Sequence, residues 1–287
     1  MNFFKRSIFF GLSFLFLSFN SHADVKTDIK VVTTIKPLHS LISRIMETRG
    51  EPQLIIEGTN NPHTFVFKPS HAKMIEEADI IFWIGEDLEA FMEKPLDSLA
   101  EKAQVISFME LSSIEKLKFR EKNIFDDHDG HEDEHEGHED EDDHGHKDDD
   151  HDDDHDGHED EHEGHDDDHK DAHAHAHGEF DQHIWLDPEN AKEMVKIIRD
   201  ELIKIDPDGQ RQYSVNTAGA TLELDNLINS VEKELSKDIS YIVFHDAYQY
   251  FENRFGVIPA GALTLNPDVL PGAKQIADIQ DVINDKG

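Results

Sequence analysis

The eleven residues HDGHEDEHEGH stand at 128–138 and return unchanged at 155–165. Imidazole suits zinc, copper and nickel, and carboxylate suits calcium and magnesium, so a chain that alternates them is built to meet divalent metal. The surrounding run, 126–177, carries 15 of the 21 histidines and 27 of the 64 acids. Two familiar patterns fall inside it. HEDEH at 131–135 and 158–162 fits H-E-x-x-H, a zinc-hydrolase signature that needs a rigid helix with both imidazoles on one face. Asp152, Asp154, Asp156, Gly157 and Glu163 fit a calcium-loop spacing, which needs flanking amphipathic helices. Neither context is present, because the run holds no apolar residue larger than alanine. Such matches are what a composition of Asp, Glu, His and Gly produces. The run reads as a disordered insertion that collects metal at many weak, exchanging sites, or as a solvated charge run that keeps the protein soluble.

Outside the run, His22 precedes the expected cleavage point of a leader, which leaves His39, His63, His71, His183 and His245. His39 and His71 fall within predicted helices, where single histidines pack or face solvent. His63 follows a strand in a polar loop, His183 precedes the short apolar stretch IWL, and His245 ends the strand YIVFH. Ligands of open α/β sheets gather at the carboxyl ends of strands, and three imidazoles match the donor set of an open zinc site. Spacing does not establish that they converge, so at this level they are either one site or three unrelated loop histidines.

The elements that would carry them alternate. IKVVTTI (29–35) reads as a buried strand, with Pro37 opening a helix through LHSLISRIM. QLIIEG (53–58) and DIIFWIG (79–85) are strands, and PSHAKMIEEA (69–78) and EDLEAFMEKPLDSLA (86–100) are helices. After the run come helix PENAKEMVKIIRDELIKI and a long helix over 206–237, with a weak spot near Gly219. Strand YIVFHD (241–246), helix AYQYFENRFG, strand VIPAGAL (257–263) and a last helix from Pro271 complete the chain. Strand–helix alternation predicts an α/β fold with mostly parallel sheets.

Bulk features bound the rest. Lys5 and Arg6, the apolar stretch 7–19 and Ser21-His22-Ala23 predict a signal peptide over 1–23, cut before Asp24. The apolar stretch falls short of the roughly 20 residues a membrane span needs. With no cysteine anywhere, disulfides, thiolate ligands and a lipid-modified amino terminus of the lipoprotein kind are excluded. The net charge of −37 argues against nucleic acid and anionic membrane as partners and in favour of cations.

NNPHTFVFKPS, ADIIFWIGEDLEAFM, FDQHIWLDPENA, YIVFHDAYQYFENRFG and LTLNPDVLPGAKQIADI resemble, in order, segments of the zinc-specific solute-binding proteins of ABC uptake transporters, the ZnuA type. The acidic, histidine-rich insertion is also typical of zinc members. The resemblance implies two α/β lobes bridged by a long rigid helix, with metal in the cleft. Its expected layout is a first lobe over 24–125 and 178–205, a linking helix over 206–237, and a second lobe over 238–287 that reads as truncated. It implies His63, His183 and His245 as ligands of Zn²⁺, the transported cargo. Histidine at 245, where manganese-binding relatives carry glutamate, favours zinc. The fourth ligand is expected to be an acidic residue beyond Gly287 or water. The implied activity is capture and delivery, not catalysis: a periplasmic monomer, not membrane-anchored, that hands zinc to an inner-membrane ABC permease with its ATPase. The alternative is a periplasmic zinc buffer or sensor acting mainly through the 126–177 run.

Overall fold

The structure is a computed structural model that describes residues 28–125, 178–265, 267 and 270–286. The expected signal peptide and the histidine-rich run lie outside the described residues. The fold is α/β with parallel sheets, as the alternation predicts.

The first sheet has four parallel strands in the order β2-β1-β3-β4: β1 (Val31–Thr33), β2 (Gln53–Leu54), β3 (Ile80–Trp83) and β4 (Gln104–Ser107). Every residue of β1 and β3 is buried. Their unbroken β-branched and aromatic content follows from helices covering both faces of the sheet. Strand β2 is shorter than the six-residue run that predicts it. Beyond Leu54 the Ile55 and Ile56 amides still bond the Thr33 and Thr34 carbonyls, at 2.9 Å each, and both side chains remain buried while the chain bends away. The edge strand β4 has no counterpart in the sequence reading. QVIS carries one buried residue out of four, so its hydrophobic pattern is weak.

Helix α1 (Lys36–Met46) buries Leu38, Ile42, Ile45 and Met46, a single stripe at helical spacing. Helix α2 (Pro69–Glu77) follows β2. The segment predicted as one helix over 86–100 is instead a turn, a 3₁₀ turn at Ala90–Met92 and the short α3 (Glu93–Leu99). Helix α4 (Pro188–Ile205) buries Met194, Val195, Ile198 and Leu202. Asp187 caps it by accepting the Glu189 amide at 2.9 Å, with Pro188 in the first turn, where its missing N–H costs nothing. Helix α5 (Gln210–Glu234) packs against α1 and α4 at its amino-terminal half and then leads away to the second sheet. At 25 residues it is about 37 Å long.

Gly219 does not break α5. The Arg44 guanidinium occupies the space where a Cβ would stand and reaches Glu223 one turn on. The entry to α5 is fixed by a buried ion pair. Arg49 meets Asp206 at 2.6 Å, and the Tyr213 hydroxyl donates to the same carboxylate at 2.6 Å.

The second sheet pairs β5 (Ile242–His245) with β6 (Gly261–Thr264), again in parallel. Strand β6 starts four residues later than the sequence predicts. Helix α6 (Gln249–Phe255) lies between them and α7 (Ala273–Lys286) follows. The far edge of β6 is taken by residues ahead of the run. Ile124 bridges Gly261 in antiparallel fashion, and the Ala262 amide donates to the Asn123 carbonyl at 2.8 Å. A Cβ on Gly261 would stand 2.5 Å from that carbonyl, so the close approach requires glycine.

Candidate metal centre

Three segments distant in sequence bring His63, His183 and His245 together. Each offers one ring nitrogen, and these atoms all lie within 4.8 Å of one another. Ring centroids are 5.8 Å apart for His63–His183, 5.5 Å for His183–His245 and 6.2 Å for His63–His245. Around tetrahedral zinc with bonds of about 2.0–2.1 Å, neighbouring nitrogens stand about 3.4 Å apart. A movement of about an ångström per ring closes the trio to that geometry.

Each histidine is placed by local chemistry. The loop to His63 leaves β2 and turns at Gly58, whose φ of +69° favours glycine. Asn61 then accepts the His63 amide at 3.0 Å while Pro62 presets the 3₁₀ turn Pro62–Thr64. His183 is almost fully buried. Its backbone amide and its Nδ1 both meet one oxygen of Asp181, at 2.9 and 2.7 Å. A carboxylate on Nδ1 favours the proton there and leaves Nε2 with the lone pair that a metal would need. Trp185 lies 5.4 Å from the ring. His245 is the last residue of β5, opposite Thr264. Its Nε2 is buried and has no hydrogen-bond partner among the described residues. Burial first, and the neighbouring His183 second, lower its pKa below the usual histidine value, against a pull from Asp181. A half-buried imidazole whose buried nitrogen lacks a partner is a candidate donor for a cation.

His63 and His183 border a cavity of about 330 Å³ lined also by Asp87, Arg120, Gln182, Leu265 and Asp246, the residue after His245. Asp87 and Leu265 follow β3 and β6, and Asp246 follows β5, so the cavity sits at the carboxyl ends of strands from both sheets. The other two histidines among the described residues play other parts. His39 Nε2 bonds the Pro52 carbonyl at 3.0 Å. His71 Nδ1 accepts the Lys68 amide at 3.1 Å at the start of α2, between Phe65 and Phe67.

Two acids neighbour the trio in sequence. Asp246 directly follows His245, a position from which a carboxylate could support that imidazole or cap the following helix. It does neither, because the Arg120 guanidinium, arriving from 126 residues earlier in the chain, bonds its Oδ1 at 2.7 Å, and α6 has no side-chain cap. Asp181 was missed as the partner of His183. An acid two residues before a candidate ligand can form an Asx-type turn and reach back to it, and that spacing was the available signal.

No helix among the described residues is long and apolar enough to cross a membrane. The profile of the zinc-uptake complex component A periplasmic family, ZnuA, matches residues 31–287. The chain is 44% identical over 259 residues to the high-affinity zinc uptake system protein ZnuA of Brucella abortus (strain 2308), covering 90% of this chain and 74% of the relative. It is 31% identical over 254 residues to the protein of the same description from Yersinia pestis, covering 87% and 70%. The fold superposes on a solved ZnuA crystal structure with a TM-score of 0.64 at 20% identity, over 90% of this chain and 80% of that one. On the Zn(II)-bound ZnuA-like domain of Streptococcus pneumoniae AdcA the TM-score is 0.58 at 18% identity, over 91% and 76%. With its two parallel sheets, its three gathered imidazoles and a profile match over nearly the whole chain, the protein belongs to the periplasmic zinc-uptake component A family, the ZnuA type.

Proposed function

We propose that this chain captures Zn²⁺ in the periplasm through His63, His183 and His245 and delivers it to an inner-membrane ABC permease with its ATPase. The observation that carries the reading is the convergence of three imidazoles from three separate segments, one of them with a buried, unsatisfied nitrogen and another set in its tautomer by a buried carboxylate. Three nitrogen donors without a thiolate favour zinc over calcium, magnesium and manganese. Water or a carboxylate oxygen completes the four-coordinate shell. Binding releases any proton the imidazoles hold, so affinity falls in acid.

Capture suits the site better than hydrolysis. The two acids closest in sequence to the trio are engaged, Asp181 with His183 and Asp246 with Arg120, which leaves neither free as a general base. The family relationship supports transport for the same reason. The run at 126–177 feeds or buffers the cleft, and the tight site lies outside it.

The test is competition between the protein and a zinc chelator at substoichiometric metal, comparing the wild type, His245→Ala and a chain lacking 126–177. One tight equivalent that survives the deletion and disappears with His245→Ala is the expected result. Tight binding that vanishes with the deletion and ignores His245→Ala would move the function into the run and leave a buffer or sensor.

A further inference from the structure

Residues 116–125 form a strap between the two sheets. At its start the Asp181 amide donates to the Leu117 carbonyl at 2.8 Å, and Lys118 bridges Phe180 in antiparallel fashion. At its end Ile124 bridges Gly261 of β6. One short stretch is therefore paired with the segment that carries His183 and with the strand beside His245. Arg120 stands between these two pairings. Its Nη1 donates to Asp246 Oδ1 at 2.7 Å and its Nη2 to Glu252 Oε2 at 2.8 Å, while its guanidinium lies 4.3 Å from the centroid of the Phe125 ring. Both carboxylates are nearly inaccessible, with side chains 2% and 1% exposed. Glu252 Oε1 accepts the Tyr241 hydroxyl at 3.1 Å.

We propose that Arg120 is a positioning residue of the metal centre, which fixes Asp246, and with it the adjacent His245, at the distance from His183 that zinc requires. Two neighbouring buried carboxylates repel one another, and without a cation between them one must take up a proton or move towards solvent. A planar guanidinium satisfies both with separate arms. The peptide that carries Asp246 also carries His245, so the orientation of that carboxylate constrains the end of β5. Arg120 itself borders the cavity beside His63 and His183, yet its positive charge makes it no ligand. Outer partners of this kind typically change metal affinity by about ten- to a hundredfold.

This inference rests on the trio being the zinc site, and the experiment separates the two. Zinc affinity of the full chain is measured by chelator competition at substoichiometric metal, beside the melting temperature of the metal-free protein. The variants are Arg120→Met, Arg120→Lys, Asp246→Ala, His245→Ala and Arg49→Met. Arg49→Met removes another buried ion pair, with Asp206, away from the cleft, and serves as the stability control. Arg120→Met is expected to weaken zinc binding by about ten- to a hundredfold, with Arg120→Lys between it and the wild type. Arg49→Met lowers the melting temperature without changing affinity. Wild-type affinity in folded Arg120→Met, or an equal loss in Arg49→Met, overturns the proposal. Should Arg120→Met fail to fold, Asp246→Ala decides, since it severs the same tie from the other side. Wild-type affinity there overturns the proposal, and a loss on the same scale supports it. If His245→Ala keeps the tight equivalent, it is the trio itself that fails.

Discussion

Glu89 offers a quantitative test of how the first lobe is built. It is fully buried, and one carboxylate oxygen, Oε2, accepts the amides of Ile84 and Gly85 at 2.9 and 3.3 Å, just past the end of β3. The other oxygen, Oε1, and the Thr34 hydroxyl are buried without a hydrogen-bond partner. Burial pushes the carboxyl up from 4.5 to about 7, against the opposing effect of Thr34 and the two amides. A group whose folded pKa is raised contributes stability that is complete below its unfolded pKa and is lost as pH rises through its folded pKa. For Glu89 the loss falls between 4.5 and about 7. At about 1.4 kcal/mol per pKa unit, the full loss is about 3 kcal/mol. Glu89→Gln keeps the shape and the accepting oxygen and removes the ionisation. Between about pH 5 and pH 8 its stability should therefore rise relative to the wild type by about 2–3 kcal/mol. Urea unfolding of both proteins with metal chelated measures this, and the histidine titrations common to both cancel in the difference. A gap between variant and wild type that stays constant from pH 5 to pH 8 would refute the buried, proton-holding carboxyl.

Three further expectations follow from the same contacts. Asp181→Asn removes the charge that holds the proton on His183 Nδ1 and should weaken zinc binding by about ten- to a hundredfold, read by chelator competition, with little change in secondary structure by circular dichroism. Arg49→Met leaves Asp206 buried without its cation and should cost about 3–5 kcal/mol in urea unfolding; a cost below about 1 kcal/mol would mean that the Tyr213 hydroxyl alone satisfies that carboxylate. Ile42→Ala empties a fully buried position on α1 and should cost about 2–5 kcal/mol, leaving zinc affinity untouched.

Much of the fold was legible because burial on both faces writes itself into a strand as a continuous apolar run. IIFW of β3 and VVT of β1 are such runs, rich in β-branched and aromatic residues. The stripe Leu38, Ile42, Ile45 in α1 is equally plain. Strand β4 was missed because an edge strand with one buried residue in four carries no such run. The segment 86–100 misled because Leu88, Phe91 and Met92 recur at helical spacing although their backbone forms turns before α3 begins. The start of β6 was misplaced because VIPA reads as strand while its pairing with β5 begins only at Gly261.

The sequence by itself determined the chemistry available to the protein. Without cysteine, with a surplus of acids, and with few histidines outside one biased run, metal binding had to rest on imidazole and carboxylate, and the selective candidates narrowed to His63, His183 and His245. Only the tertiary structure decided that these three meet, that Asp181 backs His183, and that Asp246 turns to Arg120 instead of to its neighbour. Residue type and local spacing govern what a side chain can bind and which element it sits on, because those depend on bonds and on the nearest turn. Convergence depends on how two sheets and a strap pack across more than a hundred residues of chain, a property of the whole core that no local pattern encodes.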